Sequence, residues 1–302
     1  MCKNSSNFAV KYLQKVMTIK KATITMKKRI LITLAAGLLA ANLMAVDADI
    51  QIFYDFGSKN TVCDNQRGDR VTTTVELFHP DKWGSTFFFV DFDYSLHNSS
   101  SDQSDPKNSI FGAYWEITRN LNFWQNTKAK DLSVHVEYDG GLGIFGQKVV
   151  QGGYGINHAV LVGPEYFLHT ADYKNTFNLQ LLFKYIADDW NMWKDGNGNQ
   201  VPLQFTFLWN CRDFCTAPGL TFTGFIDIWG QKLNVFDRKN DTYTDPTKQS
   251  FVFISEPQLW YAVGQHFKCP NLCIGTEIEF SYNFTGKGFM CNPCLGIKWM
   301  FL

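Results

Sequence analysis

The chain has 302 residues, with 28 lysines and arginines against 28 aspartates and glutamates. The formal net charge of zero leaves no basic excess of the kind a nucleic-acid surface requires, and at 45% hydrophobic and 16% aromatic residues the chain is too apolar to be disordered along most of its length. A slightly negative mean hydropathy argues against a bundle of membrane helices, which needs several apolar runs of about 20 residues, but not against a membrane barrel, in which alternate residues face water.

The first element is a targeting segment. Met26, Lys27, Lys28 and Arg29 precede an uncharged apolar stretch from Ile30 to Ala41, and Asn42-Leu43-Met44-Ala45 ends on a small residue. A basic start, a short apolar core and a small-residue exit are the marks of a signal peptide. The apolar run is short for a membrane anchor, and no cysteine follows it to take a lipid. The expected organisation is an upstream extension over 1–25, a cleaved signal peptide over 26–45 and an exported body over 46–302.

From Asp49 onward the apolar period is two rather than 3.6, the signature of strands. Ile50, Ile52, Tyr54 and Phe56 alternate with Gln51, Phe53 and Asp55, and Leu132, Val134, Val136 and Tyr138 alternate with Ser133, His135, Glu137 and Asp139. The last segment sets Leu295, Ile297, Trp299 and Phe301 against Gly296, Lys298 and Met300. Twelve strands are predicted, at 49–57, 70–78, 84–95, 110–119, 131–140, 156–168, 175–186, 201–210, 219–229, 250–262, 272–283 and 293–302. Each approaches the roughly 9–11 residues of a tilted membrane strand, and an even number suits a single-chain bacterial barrel. Connections predicted at 58–69, 96–109, 141–155, 187–200 and 230–249 are long, and those near 79–83, 169–174, 211–218 and 263–271 are shorter. The connections at 120–130 and 284–292 depart from this alternation. Aromatic residues expected at strand ends on the apolar face, Tyr54, Phe78, Tyr138, Tyr185, Trp209, Tyr261 and Trp299, suit the two interfacial girdles of a barrel. The expected fold class is all-β, a 12-stranded antiparallel transmembrane β-barrel in the outer membrane of a Gram-negative bacterium. A soluble β-sandwich is the rival architecture.

Seven of the eight cysteines lie beyond the signal segment: Cys63, Cys211, Cys215, Cys269, Cys273, Cys291 and Cys294. Disulfides stapling the turns, or free thiols, are the ordinary readings, and the pairs 211/215 and 269/273 leave a four-cysteine zinc site as an alternative. Cys291-Asn292-Pro293-Cys294 has redox spacing but lacks a thioredoxin-like βαβ setting.

Of the six histidines, only His135 falls mid-strand on the polar face. Ser133 and Glu137 share that face, which reads as a pore-lining network rather than a nucleophilic triad. No G-x-S-x-G, H-E-x-x-H, phosphate loop or calcium loop is present. The strand phase turns Asp55, Glu76, Asp91, Asp93, Glu116, Glu137, Asp139, Glu165, Asp227, Glu256, Glu277 and Glu279 inward, opposed chiefly by Lys184 and Lys298. Such a lumen favours cations or neutral polar molecules over anions. Phe53, Phe89, Tyr114, Phe225 and Trp229 also face inward and could stack flat rings. Pairing of the carboxylates with Arg119, lysines or tyrosines, merely holding the wall together, is the structural alternative.

The segment 84–94 (GSTFFFVDFDY), with 114–119 (YWEITR), 132–141 (LSVHVEYDGG) and 162–167 (VGPEYF), resembles the Tsx-like nucleoside-specific channel-forming outer-membrane proteins, and within them a Bacteroidetes-like branch. The likeness extends over the whole exported body in strand count and order. It departs from the family at the cysteine-rich turns, the long 230–249 connection and the strand carrying Glu256-Pro257. It implies a monomeric barrel that takes up nucleosides through a narrow lumen, with aromatic stacking and ribose hydrogen bonds from acidic groups, and without cofactor or metal. Matching motifs carry Phe89, Asp91, Asp93, Glu116, Glu137 and Asp139 over as substrate-binding positions. His135 and Glu165 complete the expected lumen site. The expected partners are a small polar solute of the nucleoside class and outer-membrane lipid, with no nucleic acid. The expected function is a passive, substrate-selective channel. A closed structural or adhesive barrel binding a partner through its long loops, and a lipid-modifying enzyme, are the alternatives.

Overall fold

The computed structural model describes residues 47–56, 70–95, 110–146, 151–187, 198–233, 236–237, 242–243, 249–284 and 287–301. The expected extension and signal peptide, Cys63, and most of the connections at 58–69, 96–109 and 187–200 lie outside the described residues.

The strands are β1 (Asp47–Asp55), β2 (Arg70–Asp81), β3 (Gly84–Ser95), β4 (Ile110–Leu121), β5 (Leu132–Gly146), β6 (Gln151–His169), β7 (Asn175–Ile186), β8 (Leu203–Arg212) and β9 (Leu220–Lys232). They continue with β10, in two pieces (Gln249–Ser255 and Gln258–Tyr261), β11 (Leu272–Tyr282) and β12 (Phe289–Phe301). Each pairs antiparallel with its sequence neighbours, and β1 pairs with β12 from Ala48↔Phe301 to Asp55↔Cys294, so the sheet closes on itself. The two pieces of β10 are one strand: Ser255 pairs with Ile226 and Phe280, Gln258 with Thr223 and Glu277, and the offset is the same on both sides of Glu256-Pro257. The thirteen ladder segments are therefore twelve strands in a closed barrel. Pro257 interrupts the pairing because it has no N–H to donate.

Which face turns outward settles the environment. Leu295 is 57%, Ile297 54% and Phe183 58% exposed, while Gln51 is fully buried and His135 is 1% exposed. A soluble sandwich buries its apolar face. This wall does the reverse, presenting Ile52, Leu181, Phe205, Ile274 and Leu295 outward and its charged and amide groups inward. That is the arrangement of a barrel whose solvent on the outside is lipid.

The outward aromatic residues fall at two levels. Tyr54, Tyr138 and Tyr185 lie toward the end with long connections, and Trp209, Tyr261 and Trp299 toward the end with short turns. Phe78 does not join them. It pairs across with Asp47 and Phe87, on the parity of Glu76, so it stands at the lumen mouth.

The connection expected over 141–155 is largely ladder: β5 and β6 continue as a hairpin up to Gly146↔Gln151, with Gly143↔Tyr154 and Gly141↔Ile156 inside it. The long connection after β9 contains a small ladder of its own, Phe236↔Tyr243 and Asp237↔Thr242. The short turns are held locally. In the β6–β7 turn Thr170 Oγ1 donates to Asp172 at 2.6 Å, and Lys174 Nζ reaches Asp213 of the next short turn at 2.6 Å.

Cys211, Cys215, Cys269 and Cys273 carry free thiols, so no disulfide staples these two turns. Nor do the four gather around a common point: among the described residues the cluster with metal-type ligand atoms close together is Glu116, Glu137 and Asp139. Cys294 packs in the lumen with Phe53, Trp260 and Cys273.

Candidate functional site in the lumen

Directly paired residues of an antiparallel ladder share a face. Starting from buried Gln51, the register carries the inward face around the barrel: Glu76↔Phe89↔Glu116↔Asp139, Thr74↔Asp91↔Tyr114, and Ser133↔Glu165↔Gln180. The eight residues expected in the lumen, Phe89, Asp91, Asp93, Glu116, His135, Glu137, Asp139 and Glu165, all lie on this face.

They form three neighbouring groups. On β3, Asp91 accepts from the hydroxyl of Thr74, and Asp93 accepts from Thr72 at 2.7 Å and faces Arg70 at 3.5 Å. Phe89 packs against Tyr114 with ring centroids 6.0 Å apart. Next around the wall, Tyr114 donates to Glu116 Oε1 at 2.9 Å and Thr118 donates to Glu137 Oε2 at 3.0 Å. Asp139 lies beside them, with Lys184 Nζ 3.4 Å from its Oδ2. The third group centres on His135, whose Nδ1 is 2.8 Å from Asn120 Oδ1 and whose Nε2 is 3.1 Å from Glu137 Oε2. Glu165 is 3.6 Å from the same ring and accepts from Ser133 at 3.2 Å and from Gln180 at 2.6 Å. Ser133 thus bonds to Glu165 rather than to His135, so the polar trio on β5 is not wired as nucleophile and base.

The cationic groups were only partly legible. Lys184 and Lys298 oppose the carboxylates as expected, and each is clamped in the same way. Lys184 lies 4.4 Å over the Trp229 ring and donates to Gln204 at 3.0 Å. Lys298 lies 4.6 Å over Trp260 and 3.4 Å from Asp49. Arg70, at the first position of β2, is a third, beside Asp93 and Asp55. Arg119 is not a lumen counter-charge: it binds Asp81 at 2.8 Å and Thr86 at 2.9 Å at the short-turn rim. Asp227, expected inward, is bonded to Thr206, and Asp49, beside Lys298, is a lumen carboxylate beyond those expected.

Apolar patches flank the polar groups. Ala159, Leu161 and Leu182 cover one side, and Trp229, Val252 and Ile254 another. Opposite, Trp260 and Phe53 lie with centroids 5.5 Å apart. They fit because Gly275 and Gly296 carry no side chain: a Cβ on Gly275 would come within 2.4 Å of the Trp260 ring, and one on Gly296 within 2.8 Å of Phe53. The inward wall is therefore rich in carboxylates and aromatic rings between low-dielectric patches, an arrangement that favours cationic or neutral polar groups over anions.

Residues 47–301 match the family described as Domain of unknown function (DUF5020). No curated protein matches the chain. Among solved structures, the barrel is similar to an outer membrane channel from Pseudomonas putida F1, at 9% identity and a TM-score of 0.46, over 86% of this chain and 97% of that one. It is also similar to a BenF-like porin from Pseudomonas fluorescens Pf-5, at 10% identity and a TM-score of 0.35, over 85% and 98%. A Salmonella typhi outer membrane phospholipase is similar at 12% identity and a TM-score of 0.39, over 88% and 96%.

Proposed function

We propose that this chain, which belongs to the DUF5020 family, is a passive, substrate-selective channel of a Gram-negative outer membrane, conducting nucleosides or similar small polar solutes and preferring cations to anions. The observation that carries the reading is the inward face itself. Carboxylates from β2, β3, β4, β5, β6 and β9 line one continuous surface with the rings of Phe89, Tyr114 and Trp229, against few cationic groups. No chemistry is required. A solute need only bind weakly and repeatedly along the wall, firmly enough to enter and loosely enough to leave. The nucleoside class comes from the resemblance to Tsx-like proteins and fits rings available for stacking beside acceptors for ribose hydroxyls.

Single-channel recording of the folded, detergent-purified protein in a planar bilayer, with adenosine or thymidine titrated in, tests the proposal. Small cation-preferring steps that nucleosides block support it. Steps that nucleosides leave unchanged keep the channel and remove the solute. A second reading, a closed barrel that binds a partner at its long-loop end, is favoured by one observation: Leu161, Leu182, His135, Gln51 and Asn292 are all less than 2% exposed, so parts of the lumen are filled by side chains. That reading predicts no steps from an inserted, folded barrel.

A further inference from the structure

We propose that Glu116, Glu137 and Asp139 form a binding site for a hard divalent cation of the calcium class inside the barrel. The site rests on the reading of the lumen as ion-accessible and names one ion that the wall would hold. One carboxylate oxygen from each residue lies within 4.8 Å of the others. Calcium is bound by oxygens at about 2.3–2.6 Å, so opposite ligands of one ion stand about 5 Å apart and the cluster needs little closure. All three donors are oxygens, which suits a hard ion and not zinc or copper.

An acidic cluster alone would not point to a ligand. The independent observation is Asp139 Oδ1, a buried atom with no hydrogen-bond partner on a residue 3% exposed. Buried polar atoms ordinarily find a partner, and a bare carboxylate oxygen in a low-dielectric wall is costly. The neighbours also orient the cluster. Tyr114 engages Glu116 Oε1, Thr118 engages Glu137 Oε2 and Lys184 faces Asp139 Oδ2. Each carboxylate is thus oriented through one oxygen by a neighbouring strand residue. Supporting contacts of this kind are what fix ligands in metal sites. Three carboxylates meet one ammonium, that of Lys184, and the His135 ring 3.1 Å from Glu137 Oε2, so acidic groups outnumber basic ones at the cluster.

The test uses the whole folded barrel in detergent. Calcium titration by calorimetry is paired with terbium luminescence, for which Tyr114, hydrogen-bonded to Glu116, is the nearby sensitiser. The expected result is one ion per barrel, weakened at least tenfold in both Asp139→Asn and Glu116→Gln and unchanged in Asp213→Asn, a carboxylate of a short turn. Folding of each variant is checked by its heat-modifiable migration on gels, and two substitutions ensure that one misfolded variant does not decide the matter. No saturable binding, or binding unaltered in both folded lumen variants, overturns the proposal. Conductance is recorded separately: steps without calcium binding sink the site and spare the channel, and calcium binding without steps supports the site while removing the channel.

Discussion

Lys184 Nζ stands 3.4 Å from Asp139 Oδ2 across two strand boundaries, from β7 to β5, with the Trp229 ring 4.4 Å beneath it. Both side chains are largely withdrawn from water, at 14% and 5% exposure. A pair in that setting is costly to break from one side, because the remaining charge is left in low dielectric.

Lys184→Met should therefore destabilise the barrel by about 3 kcal/mol, and Lys184→Met with Asp139→Asn should recover much of that loss. Urea unfolding followed by tryptophan fluorescence in detergent measures both. A double variant no better than the single one would show that the two groups do not act as a pair. In bilayers the same single variant should shift the reversal potential in a salt gradient toward stronger cation preference, since it removes one of few positive charges in the passage.

Asp91→Ala combined with Asp93→Ala should lower nucleoside flux into liposomes. Both carboxylates sit in the lumen beside Phe89, held by Thr74, Thr72 and Arg70. Wild-type flux in the double variant would remove β3 from the solute path and leave the rest of the wall to be searched.

Gly275→Val should destabilise the barrel, because the position has no room for a side chain. Its new side chain would occupy the Trp260 ring position, since even a Cβ comes within 2.4 Å of it. Overpacking of this kind costs about 1–3 kcal/mol. A lower urea midpoint, with altered near-ultraviolet dichroism from the displaced indole, is the expected signature.

Leu295→Arg places a charge on the outward face, where the native side chain is 57% exposed to lipid. Such a change costs about 2–4 kcal/mol at the membrane midplane and about 0–1 kcal/mol at an interface, and Leu295 lies between Trp299 and the Tyr54 level, so a loss below the midplane figure is expected. Lys298→Arg, three residues on and facing the lumen, should insert normally. Comparing the two in folding into vesicles checks the assignment of faces directly, and equal folding would contradict it.

The Lys174–Asp213 pair outside the wall should behave differently. Hydrogen bonding to Lys174 lowers the Asp213 carboxyl below its ordinary range, and bonding to Asp213 raises the Lys174 amine. For a lowered carboxyl, the linked stability is present above the unfolded-state value and fades as pH falls through the folded one. Both groups are open to solvent, so screening keeps that contribution small. Asp213→Asn should unfold at the same urea concentration as the native chain at neutral pH, and high salt should not separate them.

The strands were readable because alternation survives in β1, β5 and β12, where Ile50, Ile52 and Tyr54, or Leu295, Ile297 and Trp299, mark one face without a break. Composition alone could not say which face was inside; that needed closure of β1 onto β12. The outer part of the β5–β6 hairpin was read as a loop because Gly141, Gly143 and Gly146 mimic turn chemistry, whereas here glycine-rich arms pair with each other. The inward positions followed from parity. The partners did not, because contacts such as Lys184 to Asp139 join strands that are not adjacent in the chain and depend on how the wall curves. Phe78 was misplaced by the same parity: an aromatic residue at a strand end suggests a girdle, but one step of phase turns it to the other side.

The break in β10 has a mechanical meaning. Equal offsets above and below Glu256-Pro257 mean that the gap inserts nothing into the circumference. Girth and slant of the cylinder remain those of an unbroken wall, and what is lost is one fastening between β10 and β11: Pro257 O accepts from Ile278 N at 3.1 Å, but Pro257 has no N–H to return to Ile278. A cylinder missing a single fastening gives first along that seam. Deuterium should therefore enter the backbone at Ile278 sooner than at Thr276 and Phe280 on the same edge of β11, making this seam the place where the wall breathes.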